Sequence, residues 1–218
     1  MDEYLSEKEQ IERIRTWWRE NGWYLIGGAA LGALALFGWN QYQAYQMRRA
    51  EEAGTLYQSL AAAVEDDDET RATELLEQLR AEHPSSAYAD QAGLLVAKLR
   101  QQSADTEGAV RELRYVMENS RDPDLALIAR LRLARLLAYR QQYEEALALL
   151  REVDPGQFAG RFSEVEGDIH YAQGNLDAAR SAYLEALNAP GSQVLDRNLL
   201  QMKLNELESA AGDDAEAA

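Results

Sequence analysis

The 218-residue chain contains no cysteine, which excludes a disulfide framework, a thiolate zinc site and a cysteine nucleophile at once. The absence suits an oxidising compartment. Histidine is nearly missing too, with only His83 and His170, and there are just four prolines. Residues branched at Cβ are sparse, while Ala, Leu, Glu, Gln and Arg dominate, a balance that favours helix over sheet. Positive charge is short: 22 Lys and Arg face 38 Asp and Glu, a formal net charge of −16. Phosphate backbones and anionic headgroups are repelled by such a surface, so nucleic acid is not an expected partner.

Catalytic patterns are also missing. The chain has no nucleophile elbow, phosphate loop or HExxH. His83 precedes Pro84 at a helix end, where an imidazole meets free carbonyls. His170 follows Glu166 by one helical turn, an ordinary i,i+4 pair. Glu164, Glu166, Asp168 and His170 alternate along the chain, but on a helix i and i+2 point about 200° apart, so the four do not converge on a metal. The run Glu65-Asp66-Asp67-Asp68-Glu69 lacks the glycine and spaced ligands of a calcium loop and reads as a solvated turn before a helix. We expect no enzyme activity, no cofactor and no metal. A hydrolase with an acidic site at Glu164 and Asp168 is the catalytic alternative.

What is present begins with an apolar run. From Trp23 to Trp39 the sequence reads WYLIGGAALGALALFGW, with no charge. As a helix it covers roughly 25 Å, the short end of the spanning range. Trp17, Trp18, Trp23 and Tyr24 mark one edge and Phe37, Trp39, Tyr42 and Tyr45 the other, as at a bilayer interface. Ala33-Leu34-Ala35 has the small-x-small form of a cleavage site. The acid-rich segment before the run (Asp2, Glu3, Glu7, Glu9, Glu12, Glu20) and its continuation to Trp39 favour an uncleaved signal anchor. Lys8, Arg13, Arg15 and Arg19 precede it and Arg48 and Arg49 follow, a bias toward a cytoplasmic N-terminus. Gly28 and Gly32 form a G-x-x-x-G step that lets a second membrane helix approach closely. The reading is therefore a cytoplasmic tail over 1–22, a transmembrane anchor over 23–42, a helical domain over 43–209 outside the cytoplasm (in a bacterium, the periplasm) and a disordered acidic tail over 210–218.

The soluble part repeats. Four sets share one offset pattern: Leu60/Ala72/Leu76, Ala97/Ala109/Leu113, Ala134/Ala146/Leu150 and Gly167/Ala179/Tyr183, with successive alanines 37, 37 and 33 residues apart. A proline follows each set (Pro84, Pro123, Pro155, Pro190), where it would end the second helix of a pair. Small residues let two antiparallel helices close up, and the bulky residue one turn later fills the gap to the next pair. A last helix around 194–207, with Leu195, Leu199, Met202 and Leu207 near one face, is expected to cap the stack. The fold class is all-α: a single transmembrane helix, then an α-solenoid of helix pairs with a C-terminal cap.

The segment Glu166–Leu187 resembles the tetratricopeptide (TPR) consensus, with Gly174-Asn175 at the turn, and Arg130–Leu150 is similar without the turn glycine. The first two repeats are degenerate. TPR arrays bind peptides or partner helices on the face lined by their first helices, and this resemblance places Lys98, Arg135, Tyr139, Asp168 and Tyr171 there. The order of parts extends the likeness. Glu20-Asn21-Gly22 leads into the membrane helix, which ends Gly38-Trp39, and Arg130-Leu131-Arg132-Leu133-Ala134-Arg135 and Gln201-Met202-Lys203-Leu204-Asn205 follow. The chain resembles the YfgM-type ancillary subunits of the bacterial SecYEG translocon over nearly its full length. That resemblance implies an inner-membrane TPR protein that associates with SecYEG and with a membrane-anchored periplasmic chaperone of the prolyl-isomerase type, and helps pass translocating polypeptides onward. A membrane-tethered scaffold for another envelope assembly machine is the alternative.

Overall fold

The computed structural model describes residues 7–216, with side chains from 9 to 208. Asp2 and Glu3 of the expected cytoplasmic tail lie outside the described residues. Among the described residues every regular element is helical. The chain forms two compact units that divide between Glu52 and Ala53.

The first unit is the N-terminal part of α1 (Glu7–Glu65). Its apolar side chains stand in the open: Trp23 is 80% exposed, Leu31 70%, Leu36 72% and Trp39 62%. Contiguous apolar surface of this extent is not left against water by a folded soluble domain. Among the described residues α1 alone is long and apolar enough to cross a membrane, which fits an anchor. Gly28 and Gly32 lie on open surface, with no atom near where a Cβ would stand.

The second unit begins with Ala53, which is completely buried, ten residues beyond the expected start of the repeat domain. The end of α1 packs with α2 (Glu69–Glu82). Then come α3 (Ala87–Gln102) with α4 (Thr106–Asn119), α5 (Pro123–Tyr139) with α6 (Tyr143–Arg151), and α7 (Ala159–Ala172) with α8 (Leu176–Asn188). Finally α9 (Arg197–Glu216) packs on α8. Each second helix also touches the first helix of the next pair, α2 on α3, α4 on α5 and α6 on α7, while α3 lies beside α5 and α5 beside α7. This is the stacked arrangement that the offset pattern requires, and all its residues are buried.

The turns inside the pairs share a backbone device. Asp67, Ala104, Gln141 and Gly174 all have positive φ (55°, 65°, 62° and 78°), and each stands five residues before its repeat's buried alanine. In three of them the next N–H bonds back to the preceding helix, Asp68 to the Ala63 carbonyl, Gln142 to Leu137 and Asn175 to His170, each at 2.9 Å. That pattern closes a helix C-terminus through a left-handed residue. Asp68 then caps α2 by accepting from the Arg71 N–H, so part of the acidic run serves as a helix start.

Three expectations change. Pro123 does not end α4, which stops at Asn119; it opens α5 in the first turn, where a missing N–H costs nothing. The cap buries Leu200, Leu204 and Leu207, with Leu195 just ahead of the helix, and leaves Leu199 39% and Met202 60% exposed. The reason is where the helix starts: Asp196 Oδ1 accepts from the N–H groups of Asn198 and Leu199 (3.0 and 3.2 Å), which puts Leu195 outside it and sets the inward stripe at i, i+4, i+7. The backbone over 210–216, expected as a disordered tail, continues α9. Ala210, Ala211 and Ala215 supply helix propensity there.

Candidate partner-binding face

Positions 94, 98 and 101 of α3 and 132, 135, 136 and 139 of α5 each recur at helical spacing, so each set lies on one face. The two faces meet in an open pocket of about 340 Å³. Its floor is Leu94, Ala97, Leu113 and Leu136, all buried, and its rim is Lys98, Gln101, Arg132, Arg135 and Tyr139. Tyr139 is 81% exposed, an aromatic ring held in the open beside an apolar floor. Three of the five residues placed on this face by sequence, Lys98, Arg135 and Tyr139, thus line one pocket.

The other two are engaged elsewhere. Asp168 accepts from Lys203 Nζ at 2.6 Å and from the Tyr183 hydroxyl at 2.8 Å. The Tyr171 hydroxyl donates to Glu206 at 2.7 Å. Both tie α7 to α9. Burial, then the Asp168 carboxylate, push the Tyr183 pKa far above its ordinary value, so the hydroxyl stays a donor. The bond to Glu206, and then that group's charge, raise Tyr171 in the same direction.

Glu164 links the two regions. It is buried, and its Oε1 accepts from Lys203 at 3.3 Å. Its Oε2 lies 3.6 Å from Arg161 and 4.0 Å from Arg135 but accepts no hydrogen bond. Glu166 and His170 sit on another face, with Glu166 held by Arg151 at 2.6 Å and His170 3.8 Å away. The alternating acids therefore divide between two faces, as helical geometry demands. Among the described residues no three His, Asp or Glu side chains gather as a metal site.

Arg132 and Gln101 join the rim without having been expected there. Arg132 was within reach, since it precedes Arg135 by three and Tyr139 by seven and so shares their stripe. Partial withdrawal from water, and then the Arg135 charge beside it, lower its pKa from the ordinary value. Among the described residues neither Lys98 nor Arg132 is matched with an acidic side chain.

A family model described as a tetratricopeptide repeat-like domain matches residues 15–209. A Haemophilus influenzae protein named "Ancillary SecYEG translocon subunit" is 31% identical over 93% of this chain and 98% of its own. The chain belongs to this tetratricopeptide repeat-like family, with the ancillary SecYEG translocon subunits. Members from Escherichia coli (28% identical over 95% of this chain and 99% of that one) and Neisseria gonorrhoeae (27%, over 95% and 100%) carry the same name. The fold recurs in the crystal structure of BtubC (BKLC) from P. vanneervenii, with a TM-score of 0.53 over 78% of this chain and 83% of that one, at 19% identity. In the family's terms, the pocket between α3 and α5 lies along the first helices of the second and third repeats.

Proposed function

We propose that this chain is a non-catalytic inner-membrane subunit that works at the Sec translocon. Residues 1–22 lie in the cytoplasm, 23–42 cross the bilayer and the repeats lie in the periplasm. There the face bearing Lys98, Arg135 and Tyr139 meets newly translocated polypeptides, or the membrane-anchored prolyl-isomerase-type chaperone that takes them on. The observation that carries this reading is the match to proteins named as translocon subunits over almost the whole length of both partners. It is joined by the exposed apolar helix and by the four-against-two excess of cations on that helix's N-terminal side. Held away from an anionic membrane by its own charge, an acidic domain keeps its face open to chains emerging nearby.

Photo-crosslinkers at Gly28 and Tyr139 test it in living cells, since both positions are exposed. The expected products contain a translocon component from Gly28 and a periplasmic chaperone or nascent chain from Tyr139. Gln193→Cys, on exposed surface, should be labelled by a membrane-impermeant thiol reagent once the outer membrane alone is permeabilised. Crosslinks only to another envelope machine, or labelling only after inner-membrane lysis, defeat the proposal.

A further inference from the structure

In a chain of net charge −16, the pocket between α3 and α5 is rimmed by three cations and by no acid. Lys98 and Arg132 have no acidic partner among the described residues, and Arg135 reaches only toward Glu164, at 4.0 Å. Cations crowded together over a floor of Leu94, Leu113 and Leu136 attract an anion that also carries apolar surface. Partial withdrawal from water, and then the Arg135 charge, weaken the hold of Arg132 on its proton.

We propose that this pocket binds an acidic segment of a partner polypeptide, one large apolar side chain seated on Leu94, Leu113 and Leu136 and its flanking carboxylates held by Lys98, Arg132 and Arg135. The inference rests on reading this face as the partner-binding face, and adds the chemistry of the partner. The volume of about 340 Å³ suits one large side chain and its neighbours. Guanidinium groups match carboxylates two bonds at a time, and Tyr139 adds an exposed ring for the apolar residue to pack against. Extended polyanions fit worse. A phosphate backbone or an anionic bilayer presents charge far beyond the pocket, where the acidic surface repels it, and a headgroup has nothing to set on the apolar floor. A short segment carries a few carboxylates to the cations and exposes little else to repulsion.

The test uses the full chain in neutral detergent and fluorescein-labelled peptides read by anisotropy. One peptide carries Asp and Glu on both sides of a central Trp; a twin replaces these acids by Asn and Gln, and a third replaces the Trp by Ala. The acidic peptide is expected to bind at least about tenfold more tightly than either control. Lys98→Ala with Arg132→Ala is expected to remove that preference while leaving the thermal midpoint in place, since both side chains are exposed. Equal binding of the acidic peptide and its amide twin overturns the proposal. So does full affinity in the double variant, or displacement of the acidic peptide by phosphatidylglycerol in mixed detergent micelles. The comparison of twins on the unaltered chain decides the matter even if the double variant is unstable. Peptide preference without translocon crosslinks refutes only the proposed location, and crosslinks without peptide preference refute only this inference.

Discussion

The first two repeats and the last are joined by different chemistry. Between α2, α3 and α4 the seam is ionic: Glu112 accepts from Arg80 at 2.8 Å and from Arg100 at 3.0 Å, with each side chain at most 20% exposed. Arg100 also meets Glu69 at 3.4 Å and Thr73 at 3.3 Å, and the Arg80 guanidinium lies 3.9 Å above the Tyr115 ring. Between α7, α8 and α9 the seam is steric first. A Cβ on Gly167 would stand 2.4 Å from Tyr183 Cε1, so the ring occupies the space that a side chain would need. Its hydroxyl then reaches Asp168, which Lys203 of α9 also holds. One backbone plan thus tolerates two ways of closing a joint. The steric way leaves a consensus in the sequence, and the ionic way does not.

The sharpest way to break the comparison is at Glu112. Removing it leaves the largely buried Arg80 without a carboxylate and Arg100 with Glu69 alone, and breaking such a network costs about 3 kcal/mol. Glu112→Leu is therefore expected to lower stability by that amount in urea unfolding followed by circular dichroism. The triple change Arg80→Met, Arg100→Leu and Glu112→Leu should recover most of the loss, because an apolar seam of similar volume leaves only the partly exposed Glu69 without its cation. A single variant within about 0.5 kcal/mol of the parent shows that the ions are ornamental to this joint.

At the steric joint, Gly167→Ala forces the Tyr183 ring to move and should cost about 2 kcal/mol. Adding Tyr183→Leu recreates the Ala134/Leu150 pairing of the third repeat. The pair should be more stable than Gly167→Ala alone even though the hydroxyl bond, worth about 1 kcal/mol, is gone. A double-mutant cycle reads the coupling directly, and strict additivity would mean that the ring and the glycine do not share the space.

What could be read beforehand follows the same division. The twelve offset positions, from Leu60 to Tyr183, are a packing pattern, and packing depends on residue size, which sequence displays. The apolar helix was legible for the same reason. The partners of Glu112 lie on two other helices and those of Asp168 on α8 and α9, so sequence spacing does not pair them. The repeat resemblance sets Asp168 and Tyr171 in the binding face, whereas the structure engages both with α9. The cap's stripe is not legible in the apolar pattern because its phase depends on Asp196, a capping residue outside that pattern.

The smallest expected effect concerns the turns, where the repeats agree in backbone and differ in residue. Ala104 and Gly174 occupy equivalent positions at φ 65° and 78°. Alanine in the left-handed region costs roughly 1–2 kcal/mol, while glycine gives up about 0.4–1 kcal/mol in the freedom of the unfolded chain. Ala104→Gly should therefore stabilise the protein by about 0.5 kcal/mol, and Gly174→Ala should destabilise it by about 1 kcal/mol. Opposite signs at the two turns would establish that the second repeat keeps the turn geometry without the residue best suited to it. Destabilisation at both would mean that the Ala104 methyl group makes a contact stronger than the backbone strain it costs.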